Sequence, residues 1–232
     1  MMLFVISLLP PCCLAQARGG SAQGYAFEIS DILGRAQLSG SLEYWGVCDW
    51  SNGLDLPKIR PSSGKEIPPI DELRAMFAVD TMMQVIQSDG KIRMVENDVP
   101  ADILNVKVHH VVLPGDILGP TSARFAILQA PEVRKFRREH NIGPKSEWAS
   151  AAGPNFEGPL SEPVAQVELN DVTVAEAFDH MLQMYPGYWL YENCRNKNGE
   201  RIVYFSFYKS APPSFYASQE RAKGQIIKSD FY

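Results

Sequence analysis

Residues 164–208, VAQVELNDVTVAEAFDHMLQMYPGYWLYENCRNKNGERIVYFSFY, are the stretch that decides the fold we predict for this chain. They open with a strand at 164–169, in which apolar and polar residues alternate. A helix follows, because Thr173 and Glu176 form a capping box ahead of apolar residues that recur on one helical face. Pro186-Gly187 ends this helix, and two aromatic-rich strands complete the unit. These two strands are predicted at 188–193 and 202–208.

The same order of strand, helix, strand and strand recurs roughly at 41–96. A β-forming run at 41–48 precedes a helix that begins at Pro68-Pro69, and Asp89-Gly90 predicts the tight turn of a hairpin. We therefore predict an α+β fold made of two small βαββ-type units, with helices packed on short mixed or antiparallel sheets.

Composition shifts divide the chain into segments. The region between the two units adds a strand at 106–113 and a helix at 121–141 that is interrupted at Pro131. The predicted organisation is a signal peptide at 1–17, a flexible segment at 18–26, a first α+β unit with an added helix at 27–142, a Pro/Gly-rich linker or loop at 143–163, a second unit at 164–209 and a tail at 210–232.

The amino terminus predicts export to the periplasm or the extracellular space. An apolar core at 3–9 precedes Ala15-Gln16-Ala17, which has the small-x-small form of a signal cleavage site. The core is too short to span a bilayer, so we expect no integral membrane span. A lipid attachment at Cys12 or Cys13 is the competing interpretation, although Leu9-Pro10-Pro11 stands where lipoprotein signals have small residues.

Cleavage after Ala17 would leave two cysteines, Cys48 and Cys194. Two cysteines in an oxidising compartment predict a disulfide, and two buried thiols are the alternative. The net charge of −5 does not favour nucleic acid or an anionic membrane surface as a partner.

The opening of the second unit, from Val167 to Leu182, and its closing strands resemble the short amino-terminal domain shared by secretins and TonB-dependent receptors. The resemblance covers about a fifth of the chain. It implies a bacterial cell-envelope protein that docks to other proteins. The pore-forming region or barrel that follows this domain in those families is absent here, so the expectation is a free-standing protein built on similar modules.

Motifs for metal or cofactor chemistry are not evident in the sequence, and we expect neither a metal nor a cofactor. His109 and His110 are adjacent in a predicted strand and so point to opposite faces, while His180 has no ligand one turn later on its helix. Nucleotide-binding glycine loops and a serine nucleophile elbow are missing. The paired acids Asp71-Glu72 and Glu176/Asp179 occupy helical positions. Their expected structural role is a favourable interaction of the carboxylates with the helix dipole in the first turns.

Two functional hypotheses remain. The first is an exported, non-catalytic protein-interaction or envelope-assembly module, whose partner is another envelope or secreted protein. The second is a small secreted hydrolase that uses carboxylates or Cys48. Candidate binding residues are a basic cluster and two tryptophans: Arg134, Lys135, Arg137, Arg138, Trp45 and Trp189. The alternative for the basic cluster is a solvated helix face. A deep polar pocket would favour the hydrolase, and an aromatic or edge-strand surface the module.

Overall fold

The computed structural model describes residues 22–46, 57–60, 67–116, 118–142 and 164–210. Helices and strands within these residues confirm the predicted α+β class. Their order is α1 (Ala22–Arg35), β1 (Ser39–Trp45), α2 (Pro69–Phe77), β2 (Met83–Ser88), β3 (Lys91–Glu96), β4 (Lys107–Leu113), α3 (Pro120–Leu128), α4 (Pro131–Glu139), β5 (Val167–Thr173), α5 (Val174–Met184), β6 (Gly187–Arg195) and β7 (Arg201–Lys209). The predicted signal peptide and linker and Cys48 lie outside the described residues, as does the tail beyond Ser210.

Five strands form a mixed sheet in the order β2-β3-β1-β6-β7, and β4 and β5 form a separate antiparallel pair. The central strand β1 pairs in parallel with β3 on one side and with β6 on the other. The outer strands β2 and β7 are antiparallel to β3 and β6 respectively. The two strand–helix–strand–strand segments of the sequence therefore contribute to one sheet, which they share along β1 and β6.

The first strands of the two segments are used differently. β1 enters the middle of the five-stranded sheet, whereas β5 pairs with β4 in the two-stranded sheet. The burial patterns give the reason, because the interior residues of β1 are buried while β5 buries Leu169 and exposes Glu168, Asn170 and Asp171. The centre of a sheet covered on both faces requires a strand with several buried residues. A strand such as β5, with one buried residue, is therefore better placed at the periphery of the fold.

Two apolar cores lie on opposite faces of the five-stranded sheet. The first face packs against α1 and α2, with Leu42 and Met94 of the sheet meeting Ile32 and Phe77 of the helices. The second face packs over β6 and β7 against α3, α5 and the two-stranded sheet. Phe178 of α5 lies at the centre of this second core, stacked on Phe205 of β7 with 4.9 Å between the ring centroids.

Local signals in the sequence place most element boundaries. Helix α2 starts at Pro69, α4 starts at Pro131, and the hairpin between β2 and β3 turns at Asp89-Gly90. The predicted capping box is confirmed: the Thr173 hydroxyl accepts from the Glu176 backbone N–H at 3.2 Å, and a Glu176 carboxylate oxygen accepts from the Thr173 backbone N–H at 2.7 Å.

Helix α1 differs from the sequence expectation. The sequence predicts a flexible segment at 18–26 and structure from Phe27, whereas residues 22–26 already belong to the helix. Ala26, Ile29 and Leu33 recur at helical spacing and are all 0% exposed. Their burial against the sheet stabilises a helix that the Gly-, Ser- and Gln-rich flank alone does not predict. Across the described parts of the chain, no helix has both the length and the apolar character needed to cross a membrane.

Candidate protein-docking surface

The second face of the five-stranded sheet is exposed over β2 and β3. Ile92 and Met94 of β3 are buried in the first core, so Arg93 between them points to the second face. On β2 the same alternation directs Gln84 and Ile86 to this face. Ile86 is 45% exposed, and the side chain of Arg93 is 50% exposed. We call the surface formed by Gln84, Ile86, Ser88 and Arg93 the open face.

A buried carboxylate holds Arg93 in place on the open face. The side chain of Glu43, on β1, is 2% exposed. Its Oε1 atom accepts hydrogen bonds from Arg93 Nη2 at 2.5 Å, from Arg93 Nε at 3.2 Å and from Ser41 Oγ at 3.0 Å. A buried carboxylate is costly unless it is paired, so Glu43 constrains the guanidinium of Arg93 to this position. The open face therefore presents a guanidinium at a fixed place, with its charge balanced by the Glu43 carboxylate.

Helix α5 marks the limit of the open face. Asp179 of α5 accepts a hydrogen bond from Lys91 Nζ at 2.7 Å and one from Trp189 Nε1 at 3.1 Å. Lys91 belongs to β3 and Trp189 to β6, so this carboxylate links the helix to both halves of the sheet. Beyond Lys91, toward β2, the second face is exposed.

The outer edge of β2 is the second part of the candidate surface. No other described strand pairs with this edge, and no described side chain donates to or accepts from its backbone at positions 84–88. The strand reads MQVIQS and contains neither a charged residue nor a proline. Met82, directly before it, is 40% exposed. Because edge strands are normally protected by charges, proline, bulges or covering elements, β2 has the properties of a site for strand addition.

The outer edge of β7, on the opposite side of the sheet, is covered. Ile142 forms an isolated parallel bridge with Arg201 at the start of β7. The carbonyl oxygen of Phe205 accepts from Arg124 Nη1 at 2.9 Å, and that of Lys209 accepts from Ser30 Oγ at 3.0 Å. With a basic residue at each end as well, β7 has the protection that β2 does not.

A polar network lies at the start of β7. Arg201 binds Asp102 through two contacts of 2.5 Å, and its Nη2 donates to the Tyr191 hydroxyl at 3.2 Å. That hydroxyl donates to the carbonyl of Pro100 at 2.6 Å. Burial raises the pKa of Tyr191 to about 12, and hydrogen bonds from Arg201 lower the pKa of Asp102. At neutral pH the phenol is therefore neutral and the carboxylate ionised, which suits a structural link better than proton transfer.

The carboxylates that the hydrolase hypothesis requires are each held in local contacts. Glu72 pairs with Arg35 at 3.2 Å, Asp71 pairs with Arg74 at 3.3 Å, and Glu176 is part of the cap of α5. Within the described residues, no group of three or more His, Cys, Asp or Glu side chains is arranged to hold a metal ion.

A surface depression of about 390 Å³ lies beside α4. Two of its acids are already paired, Asp102 with Arg201 and Glu139 with Lys135 at 3.9 Å. The remaining residues of its lining are Asn105, Val106, Glu132 and Phe136. The described lining contains no serine, threonine, cysteine or histidine, so it lacks the nucleophile–base pair that acyl transfer needs.

The residues predicted from sequence as a binding surface lie in separate places. Trp189 is 1% exposed and belongs to the second core, while Trp45 ends β1 and donates its Nε1 to the carbonyl of Asp98 at 3.1 Å. Of the basic cluster on α4, Arg137 is buried at 7% exposure. The other three basic residues are exposed: Arg134, Lys135 and Arg138. These six residues therefore do not form one continuous surface.

Cys194 lies on β6 and is 1% exposed. The parallel register places Trp45 of β1 opposite Asn193, the residue before Cys194. Cys48 follows Trp45 by three positions in the sequence, a length of chain that spans at most about 11 Å. This distance permits the disulfide between Cys48 and Cys194, which stays a prediction because Cys48 lies outside the described residues.

Sequence patterns alone do not identify the open face. The hairpin of β2 and β3 is predicted from Asp89-Gly90, but which of its strands is outermost depends on the pairing of β3 with β1. The available signal is the uncharged run 81–88, which stands between Asp80 and Asp89. An uncharged run is equally typical of a central strand, so the signal gains its meaning only from the sheet order.

Comparison with known proteins provides no relative for this chain. No protein-family model, no curated protein and no solved structure matches it.

Proposed function

We propose that this chain is an exported, non-catalytic protein-interaction module of the bacterial cell envelope, which binds a protein partner through the outer edge of β2 and the open face. One observation carries the proposal: β2 is an uncharged outer strand without a neighbour among the described strands, and Ile86 on it is 45% exposed. A partner strand that adds to β2 would pair with its free backbone groups and place alternate side chains on the open face.

The position of Arg93 adds specificity to this surface. Arg93 lies opposite Ile86 in the register of the hairpin, so the exposed apolar side chain and the fixed guanidinium are adjacent on the open face. A bound strand would therefore meet an apolar contact and a charged one within one pair of neighbouring strands. Such a combination fixes the register of a partner better than an apolar surface alone.

Export and location in the envelope are part of the proposal. The apolar core at 3–9 and Ala15-Gln16-Ala17 support cleavage after Ala17, and the likeness of 164–208 to the secretin and TonB-receptor domain supports an envelope role. The intact mass of the exported protein should then correspond to a chain that begins at Arg18. Recovery of the protein from the cytoplasm with residues 1–17 retained would contradict export.

The docking surface is tested by photo-crosslinking. A photoreactive amino acid placed at Gln84 or Ile86 should give covalent adducts with a protein partner in the envelope fraction. The matched control is Phe125 of α3, which is 55% exposed but distant in sequence and on a different element. Adducts from Phe125 at an equal yield, or none from Gln84 and Ile86, would contradict docking at β2.

A further inference from the structure

We draw no further inference here: the strongest candidate, the depression beside α4 lined by Asp102, Glu132 and Glu139, is an acidic cluster in which Arg201 and Lys135 already pair with two of the carboxylates, and nothing in the described parts of the chain shows what ligand would occupy it.

Discussion

The two outer strands of the five-stranded sheet, β2 and β7, belong to similar antiparallel hairpins and yet have opposite surroundings. β7 is bridged by Ile142, bonded by Arg124 and covered on its second face by α5 through Phe178. β2 is covered on its first face by α2, while on its second face Ile86 is 45% exposed and its outer edge pairs with no other described strand.

Under the proposed function, stability and binding are assigned to different sides of one sheet. The side at β7 gathers most of the aromatic side chains and the largest apolar core. The side at β2 keeps an uncharged strand whose outer edge pairs with no other described strand, an arrangement that suits the addition of a partner strand.

The largest effect concerns Cys48 and Cys194. A disulfide between them would link β6, the neighbour of β7, covalently to the chain that follows β1. The β2 side of the sheet would contain no part of this crosslink. The chain-entropy model gives a stabilisation of about 4–5 kcal/mol for a loop of this length, and strain reduces it. Free-thiol labelling of the exported protein under denaturing, non-reducing conditions should find neither cysteine reactive. Two labelled thiols would refute the bridge.

The second prediction concerns Phe178, which is 0% exposed and stacked on Phe205 of β7. Phe178→Ala should lower the free energy of unfolding by about 3–5 kcal/mol, because it leaves a cavity in the second core. Ile86→Ala, at the exposed edge of β2, should change it by no more than about 0.5 kcal/mol. Chemical denaturation at low protein concentration measures both. Equal losses would contradict the division of the sheet into a stabilising and a binding side.

The third prediction concerns the ion pair of Asp102 with Arg201 at the start of β7. Because the pKa of Asp102 is lowered in the folded state, its contribution is present above the ordinary carboxyl pKa and is lost as the pH falls through the lowered value. Asp102→Asn should cost on the order of 1–2 kcal/mol at neutral pH, a value reduced by partial exposure of the pair. It should also flatten the loss of stability below about pH 4.

Denaturation at a series of pH values checks this prediction, with Asp71→Asn as the matched control. Asp71 and Arg74 form an ion pair whose side chains are 52% and 56% exposed, and solvent screening leaves such a pair with little effect. A pH dependence of Asp102→Asn that matches the wild-type protein would show that the Arg201 pair does not stabilise the β7 side.

The smallest effect concerns Thr173, which caps the helix that covers β6 and β7. Thr173→Ala removes the acceptor of the Glu176 backbone N–H and should cost about 1 kcal/mol. Thr81→Ala, at an exposed turn position before β2, is the control and should have almost no effect. An unchanged denaturation midpoint in Thr173→Ala would mean that the cap does not stabilise the helix that covers β6 and β7.

Much of the local structure was predictable because it depends on short-range chemistry. The capping box at Thr173, the turn at Asp89-Gly90 and the helix start at Pro131 each arise from a few neighbouring residues. Helix α1 was not predictable in the same way. Ala22–Arg35 follows a Gly- and Ser-rich flank, and its stability comes from Ile29 and Leu33 buried against strands that lie elsewhere in the sequence.

The candidate site was less predictable than the elements. The sequence predicts a binding surface that includes Trp189 and Arg137, and both residues are buried. Aromatic residues at alternating strand positions fill a core as readily as they form a surface. The residues that matter for the candidate surface, Ile86 and Arg93, are unremarkable in sequence. Their importance arises from their position in an outer hairpin.

The sequence by itself determined the class of the fold, the kind and order of most elements, their caps and their turns. These properties depend on periodicity and on the conformations that particular residues prefer. Only the tertiary structure decided that β1 pairs with β6, that β5 pairs with β4 outside the five-stranded sheet, and that Ile142 bridges to the outer edge of β7 while β2 has no second neighbour among the described strands. The reason is that the entropy of closing a loop grows slowly with its length, so the partner of a strand is selected by burial across the whole molecule rather than by its neighbours in sequence.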